Sequence, residues 1–265
     1  MLITLSNIIA IYRKELQGYF ASPLAYTIAA VFWLITGLFL VAILLSPDGL
    51  IPQVARLDQQ GITQAIDVPY EFLQAFLGTL GSISLFILPM LSMGLYAEER
   101  KRGTLELLAT SPLTNWAVAV GKLLGVLTFY TTMLLPLMLC EVIALSASNP
   151  AFPPTVFFLG HLGLILLAAS VLSLGMFVSS LTDSTILAAI LTFTLVLFLW
   201  MIKTTSSSIG GNIGKALDHL SLLTHYTNLV KGIVDTGSLA IFASYIILGV
   251  FLTAQSIDVL RFQRS

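Results

Sequence analysis

The chain has 265 residues, of which 57% are hydrophobic and only 9% carry a charge, and its mean hydropathy is +0.97. A water-soluble domain of this length carries far more charge, so the composition predicts a protein built into a membrane. The net charge of −1 supplies no basic field for a polyanion, which excludes nucleic-acid binding. The single cysteine, Cys140, has no partner for an internal disulfide.

The first 23 residues predict a helix that does not cross the membrane. Apolar side chains recur at helical spacing on one face of this segment, and polar side chains occupy the other. The pattern indicates an interfacial helix on the inner leaflet, and the alternative is a cytoplasmic extension of the first span. Ser22-Pro23 then favours a sharp turn, because proline opens a helix well and restricts the residue before it.

Long apolar stretches follow, each near the roughly 20 residues that a helix needs to cross a bilayer. Prolines between residues 150 and 154 separate the third stretch from the fourth, and Asp183 with Ser184 and Thr185 marks a tight turn before the fifth. The predicted fold is an all-α polytopic membrane protein with six transmembrane helices in a single domain, residues 1–265. The predicted spans are residues 24–45, 72–97, 116–146, 156–181, 186–202 and 238–257.

Two connections between the spans are long. Residues 46–71 form a loop that is polar enough to be solvated. After the fifth span, residues 203–211 are flexible by composition, and an apolar helical stripe resumes at Leu217. For residues 204–236 we leave two interpretations open: a helix that re-enters the outer half of the membrane, and a helix that rests on the outer surface of the protein.

A compact charged segment, residues 97–112, separates the second span from the third. Gly103 allows the backbone to change direction, Thr104 is suited to cap a helix, and Pro112 stops that helix. About one and a half turns of leucine-rich helix fit between them. We expect these leucines to enter a cleft of a partner, and the alternative is burial against the membrane surface or the protein's own helices. The two leucines on one side are Leu105 and Leu108.

The basic residues predict which side of the membrane each end occupies. With the N-terminus inside, eight of the 12 lysines and arginines lie on the inner face, which places both termini and the charged segment in the cytoplasm. The inner set is Arg13, Lys14, Arg100, Lys101, Arg102, Lys122, Arg261 and Arg264, and the outer set is Arg56, Lys203, Lys215 and Lys231.

The sequence contains no catalytic motif. Walker A, G-x-S-x-G, H-E-x-x-H and cysteine pairs at metal spacing are missing. The three histidines, His161, His219 and His225, stand alone, without a carboxylate at helical spacing. We therefore predict a chain that is not an enzyme and that carries no catalytic residue, cofactor or metal.

Glu141 is a carboxylate inside the third predicted span, so it is a candidate for lining a pathway. The alternative is that it reaches the outer interface and is hydrogen-bonded or solvated there. Gly121-x-x-x-Gly125 on the same span has the spacing of a helix-contact face, because small residues let two backbones approach.

Three stretches of the chain form a recognisable series. They are Tyr12-Arg13-Lys14-Glu15-Leu16-x-x-Tyr19-Phe20-x-Ser22-Pro23; Glu98-Glu99-Arg100-x-x-Gly103-Thr104-Leu105-Glu106-Leu107-Leu108 with Ser111-Pro112 and then Gly121-Lys122; and His225-Tyr226-x-x-Leu229-x-Lys231-Gly232-Ile233-Val234-Asp235. In order and content they resemble the ABC-2-type permease subunits of ATP-binding-cassette exporters, in particular the gliding-motility-type branch.

The resemblance implies six spans, an N-terminal interfacial helix (1–23), a cytoplasmic coupling segment (98–115) with its helix between spans 2 and 3, and an outer or re-entrant helical segment (204–236) before span 6. Two permeases, identical or related, would surround a pathway in the bacterial inner membrane. Separate cytoplasmic ATPase subunits would carry ATP and Mg. The implied ATPase-coupling residues are Glu98, Glu99, Arg102, Gly103, Thr104, Leu105, Glu106, Leu107, Leu108, Ser111 and Pro112.

Two other functions remain open. A secondary transporter or channel without an ATPase requires ion-binding acidic residues within the spans, for which Glu141 is the one candidate in the sequence. An intramembrane enzyme requires a nucleophile with its base, or a metal site, and the sequence contains neither pattern.

Overall fold

The computed structural model describes residues 2–61, 67–104, 113–146, 148 and 151–262, without the side chains of residues 2, 3, 206, 207 and 260–262. Every regular element in this part of the chain is an α-helix, which confirms the predicted fold class. The helices are α1 (Leu2–Ala21), α2 (Pro23–Leu45), α3 (Leu50–Gln59), α4 (Val68–Ser92), α5 (Gly94–Lys101), α6 (Asn115–Leu145), α7 (Pro154–Ser180), α8 (Thr185–Ile209), α9 (Gly211–Leu220), α10 (Leu222–Val230) and α11 (Thr236–Phe262).

Six helical segments are long and apolar enough to cross a membrane, as the sequence predicts. The spans are α2, α4 continued by α5, α6, α7, α8 and α11, in that order. Helix α1 is separate from the first span, because the backbone is extended at Ser22, whose hydroxyl accepts a hydrogen bond from Ala25 N at 3.4 Å. This break contradicts a continuous extension of α2, and the interfacial position of α1 stays a prediction.

One prediction about the connections is wrong. Residues 203–209 are helical rather than flexible, because α8 continues through them to Ile209. Once a helix is nucleated, each further residue adds a hydrogen bond at little cost, and serine and threonine are tolerated there. The 46–71 connection contains α3, although none of the residues of α3 is buried, in agreement with a solvated position.

The fourth span, α7, is the centre of the bundle. In its most apolar window 78% of residues are buried, against 22% for the window of α2 and 17% for that of α8. Helices α4, α6, α8, α10 and α11 pack around α7. The apolar side chains of α2 and α8 therefore point outward, where a bilayer or a second membrane chain would cover them.

Helices α9 and α10 meet at Ser221, whose hydroxyl caps α10 by accepting a hydrogen bond from Thr224 N. Helix α9 buries only Gly214 among its residues, whereas α10 buries five, including Tyr226 and Leu229. Tyr226 donates a hydrogen bond to Leu77 O of α4 at 2.5 Å. Helix α10 thus packs into the bundle, and both interpretations of residues 204–236 stay predictions.

The bundle has two ends, which we name by their helices. The α5 end comprises α5, the first turns of α6, and the last turns of α7 and α11; the α10 end lies opposite and comprises α3, α9, α10 and the last turns of α6.

Candidate functional site

The predicted coupling residues begin on a helix rather than on a loop. Helix α4 passes through Met93, which has helical backbone angles, into α5, so Glu98 and Glu99 extend the second span by helical turns. Gly103 ends this helix with φ of +70°, a left-handed conformation that favours glycine. Thr104 then folds back, and its N and Oγ1 both donate to Glu99 O, at 3.0 and 3.2 Å.

The predicted coupling helix itself lies outside the described residues. The positions concerned are Leu105, Glu106, Leu107, Leu108, Ser111 and Pro112. The structure describes the two points at which this segment joins the bundle, Thr104 before it and Leu113 after it. Thr104 is exposed and Leu113 packs in part against the core.

An ion cluster lies beside the first of these points; we define it as Lys14, Glu15, Glu99 and Lys122. Lys122 Nζ donates to Glu15 Oε1 at 2.8 Å and to Glu99 Oε1 at 2.9 Å. Lys14 Nζ donates to the same Glu99 oxygen at 3.0 Å and lies 3.4 Å from Glu15 Oε1. The cluster joins three helices, α1, α5 and α6, and its four formal charges cancel.

Lys122 is the buried centre of the ion cluster. Its side chain is 2% exposed, and its ammonium lies 5.0 Å from the centre of the ring of Tyr96. A lysine so deeply buried is stable only with its charge paired, and removal of one partner of a buried pair typically costs about 3–5 kcal/mol. Within α6, Lys122 therefore depends on carboxylates from both α1 and α5.

Lys14 closes the ion cluster on the solvent side. Burial alone lowers its pKa, but the carboxylates of Glu99 and Glu15 outweigh burial and raise the pKa above the ordinary value. The side chain is 66% exposed, so water weakens this attraction. One helical turn after Glu15, burial and the charges of Glu15 and Glu98 raise the pKa of Tyr19, which stays protonated and donates to Leu91 O at 2.6 Å.

Two glycines allow α1 to reach the ion cluster. A Cβ atom on Gly121 would lie 2.8 Å from Ile11 Cγ2, and one on Gly125 would lie 2.7 Å from Glu15 Cβ. Side chains at these positions would push α1 away from α6 and open the Glu15–Lys122 pair. The predicted helix-contact face at Gly121 and Gly125 is therefore confirmed, and its partner is α1.

Helix α5 is also bound to the fourth and sixth spans. Ser179 Oγ accepts hydrogen bonds from Tyr96 N and Ala97 N, at 3.1 and 3.0 Å, and donates to Met93 O. Arg100 Nη1 donates to Ser180 O at 3.0 Å. Because Ser180 Oγ in turn donates to Ser256 Oγ of α11, a displacement of α5 reaches both α7 and α11.

The chain re-enters the bundle at a second anchored point. Thr114 caps α6 by accepting from Ala117 N, and Asn115 Nδ2 donates to Asp258 Oδ1 of α11 at 2.5 Å. By contrast, the pair between Glu98 and Arg102 is 3.5 Å long and exposed on both sides, so it contributes little.

Sequence reasoning missed the ion cluster. It placed Lys122 among the basic residues of the inner face and in the family motif, and it gave Lys14 and Glu15 no role in a site. The partners lie 23 and 107 residues from Lys122, so no local spacing indicates them. The available signal was the charge itself, because a lysine within an apolar span requires a buried partner.

The pathway candidate, Glu141, lies toward the α10 end, away from the ion cluster. Its side chain is fully buried within the bundle, so it is not solvated. His161 of α7 lies beside it, with Nε2 3.2 Å from Glu141 Oε1, and so is not isolated in the fold. His225 is bonded as well, to Ser238 Oγ and His219 O.

The described residues contain no group of three His, Cys, Asp or Glu side chains that could hold a metal ion. What the described part of the site offers is mechanical: the two ends of the connection, at Thr104 and Leu113, lie beside short polar contacts that join α1, α5, α6, α7 and α11. The fold and site define a multi-pass helical membrane protein.

Comparison with known proteins gives the family. The model for the ABC-2 family transporter protein matches residues 60–254, well over half of the chain. The chain therefore belongs to the ABC-2 transporter family, whose members are the membrane permease components of ABC transporters and are generally not catalytic. No curated protein matches the chain.

Proposed function

We propose that the chain is the permease subunit of an ATP-driven exporter of the gliding-motility-type branch, and that residues 98–112 transmit the movement of separate ATPase subunits to the spans. The observation that carries the proposal is the ion cluster. Through Glu99 and Lys122 it ties the start of this segment to α6, the helix to which the segment leads, and through Glu15 to α1.

The orientation follows from the basic residues. The α5 end carries Arg100, Lys101 and Arg102 together with Lys14 and Lys122, and basic residues accumulate on the cytoplasmic side of inner-membrane proteins. The α5 end and both termini are therefore cytoplasmic in the proposal, where an ATPase has access to Thr104. The α10 end then faces the outside.

The contacts support a lever-like transmission. ATP binding drives the ATPase subunits together, and differential binding of ATP to two arrangements is what shifts their populations. A force on residues 105–112 acts on Thr104 and α5. Since Ser179 and Arg100 join α5 to the fourth span and Lys122 joins it to the third, these spans move with the segment.

The partners in the proposal are two cytoplasmic ATPases, which hold ATP and Mg, and a second permease. The outward apolar faces of α2 and α8 support a membrane environment with room for that second permease. A pathway between two permeases takes its lining from both, so we assign no substrate.

The proposal is tested by co-purification from the native membrane. We expect Leu105→Asp to abolish recovery of an ATPase subunit with this chain while insertion into the membrane is unchanged, because binding would bury the unpaired charge of the aspartate in a partner's cleft. Ile51→Asp is the matched control, since Ile51 is an exposed apolar residue at the α10 end. Equal ATPase recovery with Leu105→Asp and with the unmodified chain would remove the proposal.

A further inference from the structure

Two ionisable side chains meet inside the bundle toward the α10 end. Glu141 of α6 is fully buried, His161 of α7 is 3% exposed, and Oε1 of the former lies 3.2 Å from Nε2 of the latter. The approach is not aligned as a hydrogen bond, and both Glu141 oxygens and His161 Nε2 are without a hydrogen-bond partner among the described residues. Buried polar atoms in a membrane protein are ordinarily bonded, so this pair requires an explanation.

The other ring nitrogen fixes the tautomer of His161. Its Nδ1 lies 2.9 Å from Phe157 O, and a carbonyl oxygen only accepts, so Nδ1 carries a hydrogen and donates. In a neutral ring, Nε2 then has a bare lone pair 3.2 Å from a carboxyl oxygen. Two acceptors at this distance repel each other unless a proton lies on one of them.

The neighbouring helices supply no free cation for Glu141 among their described residues. Helix α7 has His161 as its one titratable side chain, and α4 has none between residues 72 and 92. Helix α10 contributes Tyr226, whose hydroxyl donates to Leu77 O, and His225, whose Nε2 donates to His219 O. Helix α8 contributes Lys203, which donates to Thr227 Oγ1, and α11 contributes Tyr245 and Asp258, which are bonded to Leu220 O and Asn115. Without a proton the pair would leave one uncompensated negative charge in apolar surroundings.

We propose that Glu141 and His161 form a proton-binding site. This site is separate from the ion cluster and from the segment proposed to couple the chain to an ATPase. The pair holds one proton, on Nε2 or on the carboxyl, while the third and fourth spans are packed together. The bound proton makes the pair neutral overall, and its exchange with solvent requires these spans to separate.

The first test is the pH dependence of thermal unfolding of the full chain in detergent. If the pair holds its proton only while the spans are packed, folding and proton binding are linked, and this contribution to stability is lost as the pH rises to the point at which the packed pair releases the proton. In Glu141→Gln the amide donates to Nε2 and has no proton to lose. We expect the unmodified chain to lose roughly 2–4 °C more per pH unit than Glu141→Gln in the alkaline range.

Glu71→Gln is the matched control, because Glu71 is an exposed carboxylate on α4. Its profile is expected to follow that of the unmodified chain. Parallel profiles for Glu141→Gln and the unmodified chain would overturn the proposal.

A second measurement uses the unmodified chain, so it tests the proton-binding site even if Glu141→Gln does not fold. Nitrogen-15 spectra of labelled histidine in lipid distinguish His161, whose Nδ1 donates to Phe157 O, from His225, whose Nε2 donates to His219 O. We expect the His161 signals to stay constant from pH 5 to pH 8, because the pair already holds its proton and its surroundings resist a second. Protonation of its Nε2 within this range, as in an ordinary histidine, would refute the site.

Discussion

Lys122 Nζ lies 2.9 Å from Glu99 Oε1, and this ion pair spans the two ends of the connection between the second and third spans. Glu99 precedes residues 105–112 and Lys122 follows them, so the pair closes the connection into a loop. Neither end shifts without displacing the other or breaking a buried charge pair. A partner that grips the loop therefore acts on both spans.

Replacement of the buried ammonium tests how much the ion cluster stabilises the fold. Lys122→Met removes the buried cation between Glu15 and Glu99 and leaves them only the largely exposed Lys14. We expect the free energy of unfolding to fall by about 3–5 kcal/mol, measured by denaturant titration in detergent. Lys101→Met, on an exposed lysine of α5, is the control and is expected to change little; equal losses in both variants would show that the cluster is not stabilising.

The exposed member of the ion cluster gives a smaller, pH-dependent effect. The pKa of Lys14 is raised in the fold, where attraction to Glu99 and Glu15 outweighs burial. Its contribution is therefore fully present below the ordinary pKa of 10.5 and is lost as the pH rises through the higher folded value. We expect Lys14→Met to lose at most about 1 kcal/mol at pH 8, because the side chain is largely exposed. The difference from the unmodified chain is expected to close above pH 10.5; a difference that grows there would contradict the assignment.

The close contact between α1 and α6 predicts that a glycine-to-alanine substitution is destabilising there. The same substitution on α2 is not expected to be. Gly125→Ala places a Cβ 2.7 Å from Glu15 Cβ, so α1 is displaced, whereas Gly37→Ala on α2 meets nothing within 4 Å. We expect Gly125→Ala to lower the unfolding temperature and Gly37→Ala to leave it unchanged or raise it, since alanine favours helix over glycine. Equal shifts would mean that α1 does not pack on α6 as described.

The hydrogen bonds between the second and fourth spans can be tested by hydrogen exchange. Ser179 Oγ accepts from the amides of Tyr96 and Ala97, at the start of a helix that has no side-chain cap of its own. In Ser179→Ala we expect faster exchange at these two amides and a loss of about 1–3 kcal/mol of stability. Ser82→Ala is the control, because the Ser82 hydroxyl donates to Gly78 O within its own helix. Unchanged exchange at residues 96 and 97 would show that Ser179 does not hold α5.

The spans were predictable because their signal is local. A charged side chain is costly inside a bilayer, so charge-free runs mark the spans directly, and Ser22-Pro23 and Gly103 mark helix ends by their own backbone preferences. Composition failed where tertiary continuity overrides it: residues 203–209 are rich in serine and threonine and yet extend α8.

The polar contacts were not predictable because they are long-range. Glu15 and Lys122 are 107 residues apart, and Glu141 and His161 lie on different helices, so no period in the sequence aligns them. The sequence shows that such residues require partners. Only the packing of α1 on α6, and of α6 on α7, shows which partners they have.

Site-specific photo-cross-linking in the native membrane tests most directly whether an ATPase subunit binds this chain next to Thr104. A photoreactive amino acid at position 104, which is exposed beside the ion cluster, is compared with the same amino acid at position 51, which is exposed at the α10 end. We expect position 104 to become covalently joined to a chain with a Walker-motif ATPase sequence, identified by mass spectrometry, and position 51 not to. An ATPase product from position 51, or none from position 104 in cells that make the whole transporter, would contradict it.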